Sequence, residues 1–306
     1  MAYTGNELDF YKRKFNDMIT HELQQAGSKL EAVVTVEEAM GERTSFDKMG
    51  AVEAAEHNAR FEEIAISRIS AERRLLTPTT IVGAKHVSDL DIIRAANNPQ
   101  SDVVKAITMA LARKKDDIII AAAVGTAMRE VAGSASNAAF DTTNSRVADT
   151  FIGFSDLSAG SVMLHEGKLQ EAARKLQAAE VEEQLFVIAN ANQLANLRYR
   201  AAKLGWTRTD FLGKQALTIP GLEESLDGFL GMRFIRSERV PQVTSKDNVL
   251  VLPKSAIKMG QWSPLRVDVR ELHNYQGFPI QVYADETIGA VRMDEAKVIS
   301  ILNATS

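Results

Sequence analysis

The chain has 306 residues, 45% hydrophobic and 25% charged, with 36 Lys plus Arg against 40 Asp plus Glu and no cysteine. This composition excludes a collagen, a wholly disordered chain and a disulfide miniprotein, and without cysteine there is no disulfide, thiolate metal site or Cys nucleophile. A pI of about 5.8 excludes the strongly basic footprint of a tight sequence-specific DNA binder.

The charge is unevenly distributed: residues 1–75 hold 14 acids and 10 bases, whereas 76–306 balance at 26 of each. The opening residues lack the apolar core of a signal peptide, and the longest apolar run, Ile118 to Val124, is far too short to span a bilayer, so neither secretion nor membrane insertion is expected. Within the acidic first quarter, Leu8, Tyr11, Phe15, Met18, Ile19 and Leu23 recur at helical spacing and predict a helix over 6–30. Val33 to Val36 form a short β-branched run, and from Gly41 to Thr77 charges alternate with isolated apolar residues in no sustained period. So long a weakly cored excursion suits a segment that lies on another chain.

Asn98, Pro99 and Asp102 supply a cap, a first-turn proline and an early acid for a long helix over Asp102 to Met128. Val104, Ile107, Leu111, Ile118, Ala122 and Gly125 make its apolar stripe, interrupted by Lys115, whose ammonium is expected in water. Asp117 is expected to pair with Arg113 and Lys114 along the exposed side. A small-residue stretch, Val131 to Asn144, follows. A second helix is predicted from Glu166 to Ala179, with Lys168, Glu171, Arg174 and Lys175 outward, and a third from an Asn192 cap to Leu204. Strands are predicted at Leu185–Ala189, Leu230–Ile235, Val249–Leu252, Leu265–Leu272, Ile280–Tyr283, Ile288–Met293 and Val298–Ile301. Helices first and strands later is an α+β order, without the alternation of a doubly wound sheet.

Residues that carry chemistry are sparse. His21, His57, His86, His165 and His273 are scattered, with no metal-ligand spacing. Gly160 to Lys168 fails as a phosphate loop on its glycine spacing and on Leu169, where Ser or Thr would hold magnesium. Ser155, after Gly153, lacks the second glycine of a nucleophile elbow. Asp116 and Asp117 point about 100° apart on a helix and cannot share a proton. Trp206 and Trp262 are isolated, so there is no base-stacking ladder. No cofactor and no enzymatic activity are expected.

Four stretches together resemble the major capsid proteins of tailed bacteriophages, the Hong Kong 97-like fold shared with encapsulins. They are Arg73-Arg74-Leu75-Leu76-Thr77-Pro78 with Ser88 to Asp91; Asn98 to Ser101 leading into Arg113 to Gly125; Gly228 to Pro241; and Ile288 to Leu302. They occur in the family's order. The resemblance implies an N-terminal arm (1–38), an extended loop (39–80), the first part of a peripheral domain with a long spine helix (81–150), an axial domain (151–261) and closing peripheral strands (262–306). It implies self-assembly through pentamers and hexamers into an icosahedral shell around double-stranded DNA, without sequence-specific binding. A portal and a separate scaffolding protein are the implied partners, with a decoration protein as a further candidate. Synthesis would be in the host cytoplasm and the final location the virion.

On this reading Arg60, Arg68, Arg73, Arg74, Asp116 and Asp117 are the candidate subunit-interface residues. Reversing Arg73 and Arg74 to Glu is expected to impair assembly and leave the monomer fold intact. Two other functions compete: an encapsulin-type compartment holding enzyme cargo, and an α+β hydrolase using Ser155 with a later histidine.

Overall fold

The computed structural model describes residues 25, 27–50, 52, 54, 69–88, 100–131, 133–153, 160–203, 231–274 and 279–305. Most of the helix expected over 6–30, the cap at Asn98, and Ser155 and Trp206 lie outside them. After a 3-10 turn, Glu31–Val33, come strands β1 (Thr35–Glu38), β2 (Thr44–Met49), β3 (Ala71–Leu76) and β4 (Thr79–Val87). Helix α1 (Gln100–Val124) precedes β5 (Ala127–Val131), β6 (Ser134–Ala138) and β7 (Arg146–Val147). Then follow α2 (Glu166–Ala178), β8 (Leu185–Ala189), α3 (Ala191–Lys203), β9 (Met232–Arg236), β10 (Asp247–Pro253), β11 (Ile257–Glu271), β12 (Ile280–Arg292) and β13 (Ile299–Asn303).

The strands make three sheets, ordered β1-β11-β12-β4, β7-β13-β10-β8-β9 and β2-β3-β5-β6. The chain divides into two compact units, one of residues 1–28, 78–116 and 261–288, the other of 29–77, 117–260 and 289–306.

In the first unit, β12 runs antiparallel to β4 from Ile280 opposite Val87 to Ile288 opposite Thr79. Two separate strands were expected here because Asp285-Glu286-Thr287 breaks the apolar pattern. The structure keeps one strand because those charges are partnered: Glu286, 2% exposed, holds Lys115 at 2.8 Å, and Arg266 donates to Asp285 at 3.1 Å. Lys115 therefore ends in a buried ion pair and not in water. It belongs to the buried row of α1, Ile107, Leu111, Lys115, Ile119 and Ala123, an unbroken i,i+4 series. The predicted stripe runs instead from Leu111 to Ile118 and Ala122, with Lys115 as an interruption.

In the second unit, α2 and α3 cover one face of the five-stranded sheet. Leu169, Ala172 and Leu176 of α2 and Leu194 and Leu197 of α3 share a core with Val187, Phe234, Val249, Val251, Ile299 and Ile301. Every residue of the central strand β10 is buried, as a strand with neighbours on both edges and cover on its faces must be.

Polar groups close the gaps in this core. Lys168, expected outward, has no exposed surface. Its ammonium donates to Val162 O at 2.7 Å, Leu302 O at 2.9 Å and Asn303 Oδ1 at 3.1 Å, and desolvation lowers its pKa to about 8. Asn190, two residues before the predicted cap, accepts the Gln193 N–H of α3 at 3.0 Å. Its position directly after β8 makes it the first residue free to leave strand geometry.

His165 caps α2. Its Nδ1 accepts the Gly167 N–H at 3.1 Å while Nε2 donates to Phe151 O at 2.9 Å, which requires the neutral ring. Burial holds its pKa below the ordinary 6.5, against the pull of the Phe151 carbonyl and with Lys168, Glu166 and Arg200 as the neighbouring charges. Below about pH 6.5 the unfolded chain takes up a proton that the folded chain refuses, so stability falls as pH drops, by up to about 1.4 kcal/mol per pH unit. His165→Asn keeps a cap acceptor. Denaturant titrations at pH 7 and pH 5 are expected to show a smaller pH loss for this variant than for the native chain, and equal losses would show that His165 is not the titrating group.

Candidate assembly surfaces

The excursion read from Gly41 to Thr77 has a strand-paired base. β2 and β3 are antiparallel from Thr44 opposite Leu76 to Met49 opposite Ala71; β3 continues onto β5, with Arg73 opposite Glu130 and Leu75 opposite Met128; and β5 turns through two positions into β6. The small-residue stretch after the long helix is thus a hairpin, and Gly133 at φ 80° takes the left-handed conformation its tight connection needs.

Cross-strand partners share a face, so this sheet sorts its residues cleanly. One face carries Asp47, Arg73 and Glu130 in one row and Ser45, Leu75, Met128 and Asn137 in the next. Arg73 donates to Asp47 at 2.8 Å and stays 58% exposed. Met49 is 75% and Met128 36% exposed on that same face.

Arg74 faces the other way and is fully buried. It pairs with Glu72 at 3.0 Å and Glu295 at 2.8 Å. The two members of the basic doublet therefore have opposite surroundings, as successive strand residues must.

Beside Arg74 lies a second buried guanidinium that sequence reasoning missed. Arg292 donates to Ala123 O at 2.8 Å, Gly125 O at 2.8 Å and Ala138 O at 3.2 Å, and its centre sits 5.4 Å from the Phe140 ring. It closes the C-terminus of α1, where carbonyls lack helical partners and the dipole favours a cation. The helix stops four residues before its predicted end because Gly125 closes on Ala121 O at 2.8 Å and β5 starts at Ala127. A Cβ on Gly125 would lie 2.4 Å from that carbonyl. The available signal for Arg292 was a lone arginine inside the apolar run Ile288 to Met293.

Asp116 and Asp117 divide as their helix positions dictate. Asp116 has no exposed surface and accepts from Ser28 Oγ at 2.6 Å and from Gln25. Asp117 receives both ends of the Arg239 fork, Nε at 2.7 Å, the bidentate geometry that suits Arg to a carboxylate. The predicted helix-surface pairing of Asp117 is replaced by this longer-range one. Arg60 and Arg68 lie outside the described residues.

Among the described residues no group of His, Asp and Glu could hold a metal ion, and no helix is long and apolar enough to cross a membrane. A shallow cavity of about 300 Å³ is lined by Arg266, Asp268, Arg270, Gln281 and Tyr283, whose charges pair with one another and with Asp285.

This combination of a long helix, two long strands and an open four-stranded sheet is that of the Hong Kong 97-like shell proteins. The chain is similar in structure to the capsid of cyanophage P-SCSP1u at 15% identity and a TM-score of 0.72, over 97% of this chain and 94% of that one. It is likewise similar to the capsid of Ralstonia phage GP4 at 12% identity and 0.66, over 96% and 95%. The structure from Mycobacterium phage Bobi matches at 12% identity and 0.65, over the whole of both chains. Residues 9–305 match the family model described as phage capsid protein, and the chain belongs to that family; its role is structural. No curated protein matches the sequence.

Proposed function

We propose that copies of this chain assemble through pentamers and hexamers into an icosahedral shell enclosing double-stranded DNA, the capsid of a tailed bacteriophage virion. The observation that carries this reading is the open face of the sheet β2-β3-β5-β6, where exposed Met49 and Met128 border the Asp47, Arg73 and Glu130 row. An apolar patch rimmed by ordered charges is what a neighbouring subunit covers. Arg73 and Asp117, 58% and 28% exposed, are the candidate residues on offer to a neighbour, whereas Arg74 and Asp116 act inside the chain. Each contact can be weak, because a subunit held by several neighbours gains from avidity. A portal and a separate scaffolding protein are the partners that closure and filling of such a shell require.

Negative-stain electron microscopy with light-scattering mass tests this directly, on the chain alone and with the scaffolding protein from the same source. Closed shells, tubes or capsomers are the expected products. A clean monomer or dimer under both conditions would overturn the proposal.

A further inference from the structure

The described sheets end in six outermost strands: β1, β4, β7, β9, β2 and β6. Five carry charge: Glu37 and Glu38 on β1, Lys85 on β4, Arg146 on β7, Arg233 and Arg236 on β9, and Asp47 and Lys48 on β2. Charges on an edge discourage pairing with another copy, since antiparallel self-pairing brings like charges together. The sixth, β6, reads Ser-Ala-Ser-Asn-Ala, with no charge and no proline, and Ser134 to Asn137 are all exposed.

The register says which backbone groups β6 offers. Only two positions separate Val131 from its partner Ser134, so these two form a hydrogen-bonded pair, and the alternation of an antiparallel ladder makes Arg129 with Ser136 the next one. Ala135 and Asn137, opposite Glu130 and Met128, therefore turn their N–H and C=O groups away from β5. Among the described residues no backbone hydrogen bond outside the sheet reaches either of them.

We propose that β6 pairs antiparallel with β6 of a second copy of this chain about a local two-fold axis at Ser136, merging two four-stranded sheets into one of eight strands. Ala135 of each copy exchanges two hydrogen bonds with Asn137 of the other, four in all. The occupant is a second copy because the contact is isologous: the same uncharged groups meet their own mates, which no other outermost strand allows. Pairing also continues the open face, since Asn137 ends the row of Ser45, Leu75 and Met128. This inference rests on the shell reading, which supplies the neighbouring copies.

The absence of cysteine makes the test clean. At a non-hydrogen-bonded antiparallel pair the Cα atoms are about 4.5 Å apart, inside the range a disulfide spans. Ser136→Cys particles, oxidised and run without reductant, are expected to move most of the chain to dimer mass, while Tyr199→Cys particles, with a thiol at a position 75% exposed on α3, stay monomeric. Ala135→Pro deletes an outward N–H and no ladder bond within the chain. It is expected to leave the melting temperature of the soluble chain unchanged and to lower particle yield about tenfold, two net hydrogen bonds being lost per pair. Particles of the native chain with no Ser136→Cys dimer would overturn this pairing alone, as would normal yield from Ala135→Pro. No particles from the native chain would overturn the shell reading and this pairing with it.

Discussion

Arg292→Met is expected to lower the unfolding free energy by about 3–5 kcal/mol, the range for removing one partner of a buried charged interaction. Methionine fills much of the volume but donates nothing. The carbonyls of Ala123, Gly125 and Ala138 would each face a loss near the desolvation cost of a buried acceptor, about 1–3 kcal/mol, partly relieved by water entering the gap. Arg292→Lys is expected to rescue little, because one ammonium cannot spread over acceptors that a planar fork reaches together. Guanidinium titration of the soluble chain followed by circular dichroism measures both. A midpoint unchanged in Arg292→Met would mean that the α1 terminus is held by other contacts.

The second large effect separates neighbours in sequence. Arg74→Glu puts a third carboxylate beside Glu72 and Glu295 in a site with no exposed surface at Arg74. Loss of the folded chain is expected, seen as insoluble product or a melting transition shifted far down. Arg73→Glu breaks only an exposed pair with Asp47, worth about 0–1 kcal/mol to the fold, yet it turns the Asp47, Arg73 and Glu130 row wholly acidic. A soluble, normally melting chain that forms few or no particles is the expected result. The double reversal, expected from sequence to spare the monomer, is on this burial expected to act on the fold as well, and Arg73 alone carries the assembly test. Normal shells from Arg73→Glu would remove this face from the interface.

Legibility followed periodicity. The α2 helix and the strand Leu185–Ala189 were readable because their apolar spacing is regular and local, and α1 was readable as a helix with Asp102 in its first turn. What escaped was whatever depends on a partner distant in the chain. Lys115 seemed to interrupt a stripe because Glu286, its counter-charge, is unreadable from residue 115; Asp285 and Glu286 split one strand into two for the same reason. Lys168 was placed outward by residue type, though carbonyls of Val162 and Leu302 hold it inside. β2 and β6 were missed because short, charged or small-residue strands derive their order from pairing and not from their own pattern. The capsid resemblance was carried by segments such as Arg113 to Gly125 and Ile288 to Leu302. The same tail stretch held Arg292, whose role no local pattern discloses.

One further consequence concerns the order in which a newly made chain can finish folding. β13 inserts between β7 and β10, pairing Asp247 with Asn303 through Val251 with Ile299, and Arg292 reaches carbonyls 154 to 170 residues earlier. Until those late residues leave the ribosome, β10 lacks one neighbour and the end of α1 lacks its cation. Closure over such separations is slow, and the nascent chain meanwhile exposes strand edges that the finished subunit hides. Completion of the fold thus waits on its last strand: the five-stranded sheet closes only once synthesis has passed Asn303.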